Sequence, residues 1–197
     1  MELYIARHGE TESNAAGRMQ GGGVDTPLTP KGIAQAKALG ETITGIDFDA
    51  IYSSPLKRAM DTARIAFNDE ALFDNQGMTD KRLAEIGLGG AEGMVWDEEA
   101  AEVFPDAFPN LFIDPVSYIP PTHGESLHDM IARIDSFLQE LACKPYKRVF
   151  VLAHGYVLKV VYACTVDKSL AAIKDTPRYD NCQLVRYTHN GINWEPI

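Results

Sequence analysis

The feature that most constrains this chain is the run Val149-Phe150-Val151-Leu152-Ala153, which stops abruptly at His154-Gly155. A strand with no polar position has no face to give to water, so both faces must be covered. Helices on both sides of a mainly parallel sheet meet that demand. The rest of the chain repeats the pattern. Leu3-Tyr4-Ile5-Ala6 is a second apolar run, ended by Arg7-His8-Gly9, and residues 48–52 form a third. Thr29-Pro30 opens a helix as cap and first residue, with Ile33, Ala36, Leu39 and Ile43 on its buried face. Ser53-Ser54-Pro55 repeats that signal before a helix with Leu56, Met60, Ala63 and Phe67 inward. A longer helix follows Ser126, whose spacing to Asp129 resembles a capping box, with Leu127, Ile131, Ile134, Leu138 and Leu141 inward. Residues 183–187 and 192–194 read as a hairpin about Asn190-Gly191. The expectation is a three-layer α/β fold: a mixed, mainly parallel sheet with helices on both faces. At 197 residues it forms one domain, 1–197.

One stretch breaks the rhythm. Residues 87–122 hold Pro105, Pro109, Pro115, Pro120 and Pro121 beside Trp96, Phe104, Phe108, Phe112 and Tyr118. Such a segment is an irregular insertion, either a cap at the ligand-bearing end or a plain surface loop. Net charge separates further classes. Eighteen Lys and Arg against 28 Asp and Glu, net −10, give no basic surface for nucleic acid or anionic membrane. No run reaches the length of a membrane helix, and Glu2 and Arg7 break any signal-peptide pattern. Cys143, Cys164 and Cys182 form neither a disulfide framework nor a metal knuckle. Reduced thiols and a cytoplasmic location are expected.

Polar groups stand where the apolar runs stop. His8 follows the first, His154 the last, and Arg58 lies in the first turn after the third. Ligands of open α/β sheets gather beyond the carboxyl ends of strands. Two imidazoles, Arg7, Arg58 and helix N-termini converging there suit a dianion. Taken singly, each has a plainer reading: a structural His, or an Arg solvated on the face opposite Leu56, Met60 and Ala63. No carboxylate or His cluster has metal-ligand spacing, so no metal or other cofactor is expected.

The order of motifs resembles the histidine phosphatase superfamily, the phosphoglycerate mutase-like proteins, in its small bacterial phosphatase branch. It begins with Arg7-His8-Gly9-Glu10-Thr11, Asn14 and Gly17-Arg18-Met19-Gln20-Gly21. Asp25-x-Pro27-Leu28-Thr29-x-x-Gly32-x-x-Gln35-Ala36 and Tyr52-Ser53-Ser54-Pro55-Leu56-x-Arg58-Ala59-x-x-Thr62-Ala63 follow. Leu83-x-Glu85-Ile86, Gly89, Glu92-Gly93, Gly124-Glu125-Ser126 and Ala153-His154-Gly155 complete it.

The resemblance implies a phosphatase acting on a small phosphomonoester. His8 would be the nucleophile, and Arg7, Arg58 and His154 would hold phosphoryl oxygens with Asn14. Glu85 would be the general acid and then the base. Gln20, Gly21 and the Gly155 N–H are implied in substrate binding. The chain departs from the pattern at Ser13, at Gly90-Ala91 and at His123. These positions belong to the pocket rim and bear on substrate identity, with His123 a rim candidate. Residues 83–132 contain ten acids and no Lys or Arg, while the remainder balances at 18 against 18. If those acids face the pocket, they disfavour a substrate with a second anion; if they face solvent, they serve solubility. A base-free cap also argues against a phosphoglycerate mutase, and retention of all five polar groups argues against an inactive binding protein.

Overall fold

The computed structural model describes residues 1–75, 77–95 and 98–197. Its six strands are β1 (Glu2–Arg7), β2 (Ala50–Ser53), β3 (Met78–Thr79), β4 (Arg148–Ala153), β5 (Leu184–His189) and β6 (Trp194–Pro196). They form one sheet in the order β3-β2-β4-β1-β5-β6. The first four neighbours run parallel, and β5 and β6 are antiparallel additions at one edge. The sheet is therefore mixed and mainly parallel, as expected. β4 lies inside it, with residues 149–153 fully buried.

Alternate residues of the inner strands feed two separate cores. Leu3, Ile5, Val149, Val151 and Ala153 face α7 (Leu127–Ala142), α8 (Gly155–Val166) and α9 (Leu170–Lys174). Tyr4, Ala6, Phe150 and Leu152 face α2 (Pro30–Ile43), α3 (Lys57–Phe67) and α4 (Leu72–Asn75). α1 (Glu12–Ala15) sits beyond the end of β1. Six large apolar side chains are buried along α7: Leu127, Met130, Ile134, Phe137, Leu138 and Leu141. At roughly 1.5–3 kcal/mol each, their burial is the main reason this helix stays on the sheet. Ser126 caps it by accepting the Asp129 N–H.

Several local expectations shift. The third apolar run pairs from Ala50 rather than Phe48, because Phe48 packs edge-on against Tyr4, Phe67 and Phe150 below the strand. Ile33 is 38 % exposed, and Gly32 rather than Ile33 is buried on the inner face of α2. α3 buries Arg58, Ala59, Thr62, Ala63 and Ala66, so its inner face is turned away from the Leu56 and Met60 side. Its N-cap is Leu56, which supplies no side-chain acceptor, so Ser53-Ser54-Pro55 does not cap it.

The stretch 87–122 contains two short helices, α5 (Glu98–Val103) and α6 (Asn110–Ile113). Ala91, Phe108, Leu111 and Tyr118 join the core beneath α8, and the Tyr156 hydroxyl donates to the Leu111 carbonyl at 2.7 Å. Trp96 and Asp97 lie outside the described residues. Among the described residues no helix is long and apolar enough to cross a membrane, and the three cysteines are unpaired.

Candidate active site

The sheet levels the site. Arg7 pairs with Ala153 and Ser53 with Leu152, so β1, β2 and β4 end side by side. The His8 N–H then donates to the Ala153 carbonyl at 3.0 Å, and the Ser54 N–H to Leu152 at 2.9 Å. His8 and His154 emerge one residue beyond paired positions, with ring centroids 5.1 Å apart.

Hydrogen bonds define both rings. His8 Nδ1 lies 2.7 Å from the Gly9 carbonyl, which only accepts, so Nδ1 carries the proton and Nε2 holds a lone pair. Arg58 Nε donates to that Nε2 at 3.3 Å. His154 Nε2 lies 2.7 Å from Ser54 Oγ. This hydroxyl accepts the Leu56 N–H and can give its own proton to Nε2, the arrangement in which the imidazole proton sits on Nδ1. Two buried nitrogens of the cluster, His154 Nδ1 and Arg7 Nε, have no protein partner. Burial, and then the neighbouring Arg58, push both imidazoles well below their usual 6.5. Both rings are therefore neutral at pH 7. Burial also lowers the two guanidinium pKa values, and Glu85 partly offsets this.

Arg58 is 1 % exposed and four of its five N–H donors are engaged, the Nε–H by His8. It donates to the Val24 and Gly21 carbonyls at 2.9 and 3.0 Å and to Asp25 Oδ1 at 3.2 Å. The reading of Arg58 as a solvated helix residue therefore fails. Asp25 also accepts the Lys57 and Arg58 N–H groups, and so caps α3 from across the chain. Sequence reasoning placed no functional weight on Asp25. It also missed Asn181, whose Nδ2 donates to the His8 carbonyl at 3.0 Å and to Asn14 Oδ1 at 3.2 Å. The Asn14 oxygen takes the Thr11 N–H as well, leaving its amide nitrogen as the free donor end. Asp25 opens one of the quoted motifs but carried no role there, and Asn181 has no local signal.

A cavity of about 620 Å³ adjoins this cluster through Arg7 and is lined also by Asn14, Gln20, Glu85 and Gly155, while His8, Arg58 and His154 lie behind its wall. Gln20 is tied at both ends, to Thr11 and Thr26. Gly21 is not in the cavity wall; its carbonyl holds Arg58 instead. The Gly155 N–H begins α8 next to Arg7, and a Cβ there would sit 3.4 Å from Arg7 Nε. Glu85 accepts the Ile86 and Tyr156 N–H groups at 3.0 and 3.2 Å. Burial raises its pKa, outweighing those donors and the two arginines.

Glu85 is the one member of the acidic run that reaches the cavity among the described residues. Glu92 accepts the Gly23 and Leu88 N–H groups, Glu125 pairs with Arg133 at 2.6 Å, and Glu102, Asp106 and Asp129 are exposed. The cavity wall carries Lys159, Lys174 and Arg178 instead. Of the two readings of the acidic run, the described acids other than Glu85 follow the one in which they face away from the cavity, toward backbone N–H groups, Arg133 or solvent. His123 is exposed and does not line the cavity, so it is not a rim residue.

The family model "Histidine phosphatase superfamily (branch 1)" matches residues 3–196. The chain is 35% identical to a putative phosphoserine phosphatase 2 of Hydrogenobacter thermophilus, over 81% of this chain and 75% of that one. It is 36% identical to a metal-independent phosphoserine phosphatase of Arabidopsis thaliana, over 82% of this chain and 67% of that one. The solved structure of Bacillus stearothermophilus YhfR superposes with a TM-score of 0.87 at 31% identity, covering 99% of this chain and 94% of that one. The chain belongs to the histidine phosphatase superfamily, branch 1, and is a phosphatase.

Proposed function

We propose that the chain hydrolyses a small phosphomonoester through a phosphohistidine on His8, without a metal ion. The observation that carries this is the His8 Nε2 lone pair, held neutral among Arg7, Arg58 and His154. A neutral imidazole attacks phosphorus without a base to activate it. As the phosphorus–oxygen ester bond breaks, Arg7, Arg58, His154 Nδ1–H and the Asn14 amide take up charge on the phosphoryl oxygens. The Glu85 carboxyl gives its proton to the leaving oxygen. As a carboxylate it then removes a proton from water, which attacks phosphorus; the phosphorus–nitrogen bond breaks and phosphate leaves. Gln20 and Gly21 act indirectly, by holding the Thr11 loop and Arg58, while Gly155 N–H is a further donor. The whole chain works as one domain with residues 87–122 as its cap. A metal-independent relative supports the absence of metal, and free cysteines suit the reducing cytoplasm in which we place it.

The test is turnover of p-nitrophenyl phosphate in EDTA, with rapid quench of labelled substrate. Acid-labile, base-stable label is expected on His8, and His8→Ala should lose several orders of magnitude in rate. Loss of activity in chelator, restored by Mg²⁺, would sink the reading. The bases in the cavity wall favour one rival, a phosphoglycerate mutase. Net release of inorganic phosphate from 3-phosphoglycerate, rather than exchange with 2-phosphoglycerate, separates the two.

A further inference from the structure

We propose that Lys159, Lys174 and Arg178 form a subsite for a second anionic group on the substrate, at the far end from the ester phosphate. The inference rests on the phosphatase reading and deepens it. All three residues line the same cavity as Arg7 and Glu85. They come from the α8 to β5 part of the chain, outside the acidic run. Lys159 lies one turn after Gly155 on α8, so it continues the face that starts at the phosphate end. Its ammonium donates to the Thr176 carbonyl at 3.0 Å and to Thr176 Oγ1 at 2.7 Å. Two of its three protons are thereby used, and the head is fixed with one left to give. Arg178 precedes Tyr179, whose carbonyl accepts Arg7 Nη1 at 2.7 Å, so the distal base and the phosphate-binding base share one anchored segment.

The charge is uncompensated. Among the described residues no carboxylate pairs with Lys159, Lys174 or Arg178. Asp167, Asp175 and Asp180, the acids of this stretch, are exposed and do not line the cavity. Among the described residues Glu85 is the one carboxylate in the wall, and it belongs to the end proposed to react. Three cations in a concave site bordered by Ile86, Leu88, Leu111 and Ile113 focus positive potential on whatever occupies the distal end. A carboxylate fits that position, as does a second phosphate.

Matched pairs of esters test this at low salt. Phosphoserine and phosphoethanolamine differ by one carboxylate, as do 3-phosphoglycerate and glycerol 3-phosphate. The readout is the ratio of kcat/KM within each pair. The parent chain should favour the carboxylate-bearing member at least tenfold in one pair, and added salt should shrink the preference. Lys174→Met with Arg178→Met should bring the ratio close to one, and Lys174→Arg should keep it. A parent ratio near one in both pairs, or a ratio that survives the double variant, overturns the subsite while the phosphatase reading stands. No turnover of any of the four esters by protein that hydrolyses p-nitrophenyl phosphate would overturn this inference alone, and no turnover of p-nitrophenyl phosphate either would overturn the phosphatase reading with it.

Discussion

Arg58 and His8 meet nitrogen to nitrogen: the guanidinium Nε–H points at the imidazole Nε2 lone pair across 3.3 Å. A positive group donating to a ring nitrogen opposes protonation of that nitrogen. In the proposed mechanism Arg58 would thus keep the His8 nucleophile available and hold the oxygens of the group it attacks.

The buried imidazoles make stability depend on pH. His8 and His154 have folded pKa values below the usual 6.5, which the unfolded chain recovers. Below about pH 6.5 the unfolded state binds protons that the folded state refuses, so stability falls on acidification. Each ring contributes up to about 1.4 kcal/mol per pH unit in that window. Thermal melts from pH 7.5 down to 5 should show a falling Tm. Because the nucleophile stays neutral there, the rate of His8 phosphorylation should not drop with an apparent pKa of 6.5. A phosphorylation rate that titrates at 6.5 would contradict the buried geometry.

Glu85 has the opposite shift for an opposite reason. Burial holds its proton to a higher pH than an ordinary carboxyl, which suits a donor to the leaving oxygen. Glu85→Gln should slow hydrolysis of an alkyl phosphate by roughly 10²–10³. The loss on p-nitrophenyl phosphate should be smaller, since nitrophenolate leaves without a proton. Equal losses on both would remove Glu85 from the acid role.

Asp25 is a positioning residue, reaching the reaction through Arg58 and the start of α3. Asp25→Ala should lower stability by about 1 kcal/mol as a lost cap. It should also lower kcat/KM by roughly tenfold to a hundredfold, about 1.4–2.7 kcal/mol of transition-state stabilisation. Asp25→Asn retains an acceptor and should recover part of both. A purely structural role would leave kcat unchanged at temperatures well below the melt.

His123 has φ +63°, a left-handed backbone that side chains with a Cβ disfavour. Its ring is exposed and the strain is uncompensated by any described contact. His123→Gly should stabilise the chain by roughly 0.5–1 kcal/mol, after the extra freedom of glycine in the unfolded state is counted. A Tm rise of about 2 °C would register it.

The sheet was readable because each buried strand is an unbroken apolar run that a charged or imidazole residue ends. His8 and His154 are placed by that rule alone, and Arg58 by its distance from a strand end. The phase of α3 was not readable. Arg58 points inward because the Gly21 and Val24 carbonyls satisfy it, and apolar periodicity registers no such polar anchor. Ser54 misled for a related reason, since its hydroxyl serves His154 as well as Leu56. Asp25 and Asn181 act on partners 33 and 173 residues away in the chain, a relation that no local pattern carries. The acidic run was plain as composition, but a loop has no fixed period to say where each side chain faces.

The rung shared by Arg7 and Ala153 has a consequence for how such a site can change over time. A hydrogen-bonded ladder moves only in whole steps of about 3.3 Å, and a single step turns each side chain to the opposite face. Insertions or deletions within β1 or β4 would therefore abolish the His8–His154 pairing rather than adjust it. Variation that alters which molecules are accepted is expected instead in cavity-lining segments free of the ladder, such as the stretch 87–122 and the turn from Lys174 to Arg178. Libraries built on those two segments should yield altered selectivity with the chemistry intact, whereas length changes in the strands should yield inactive protein.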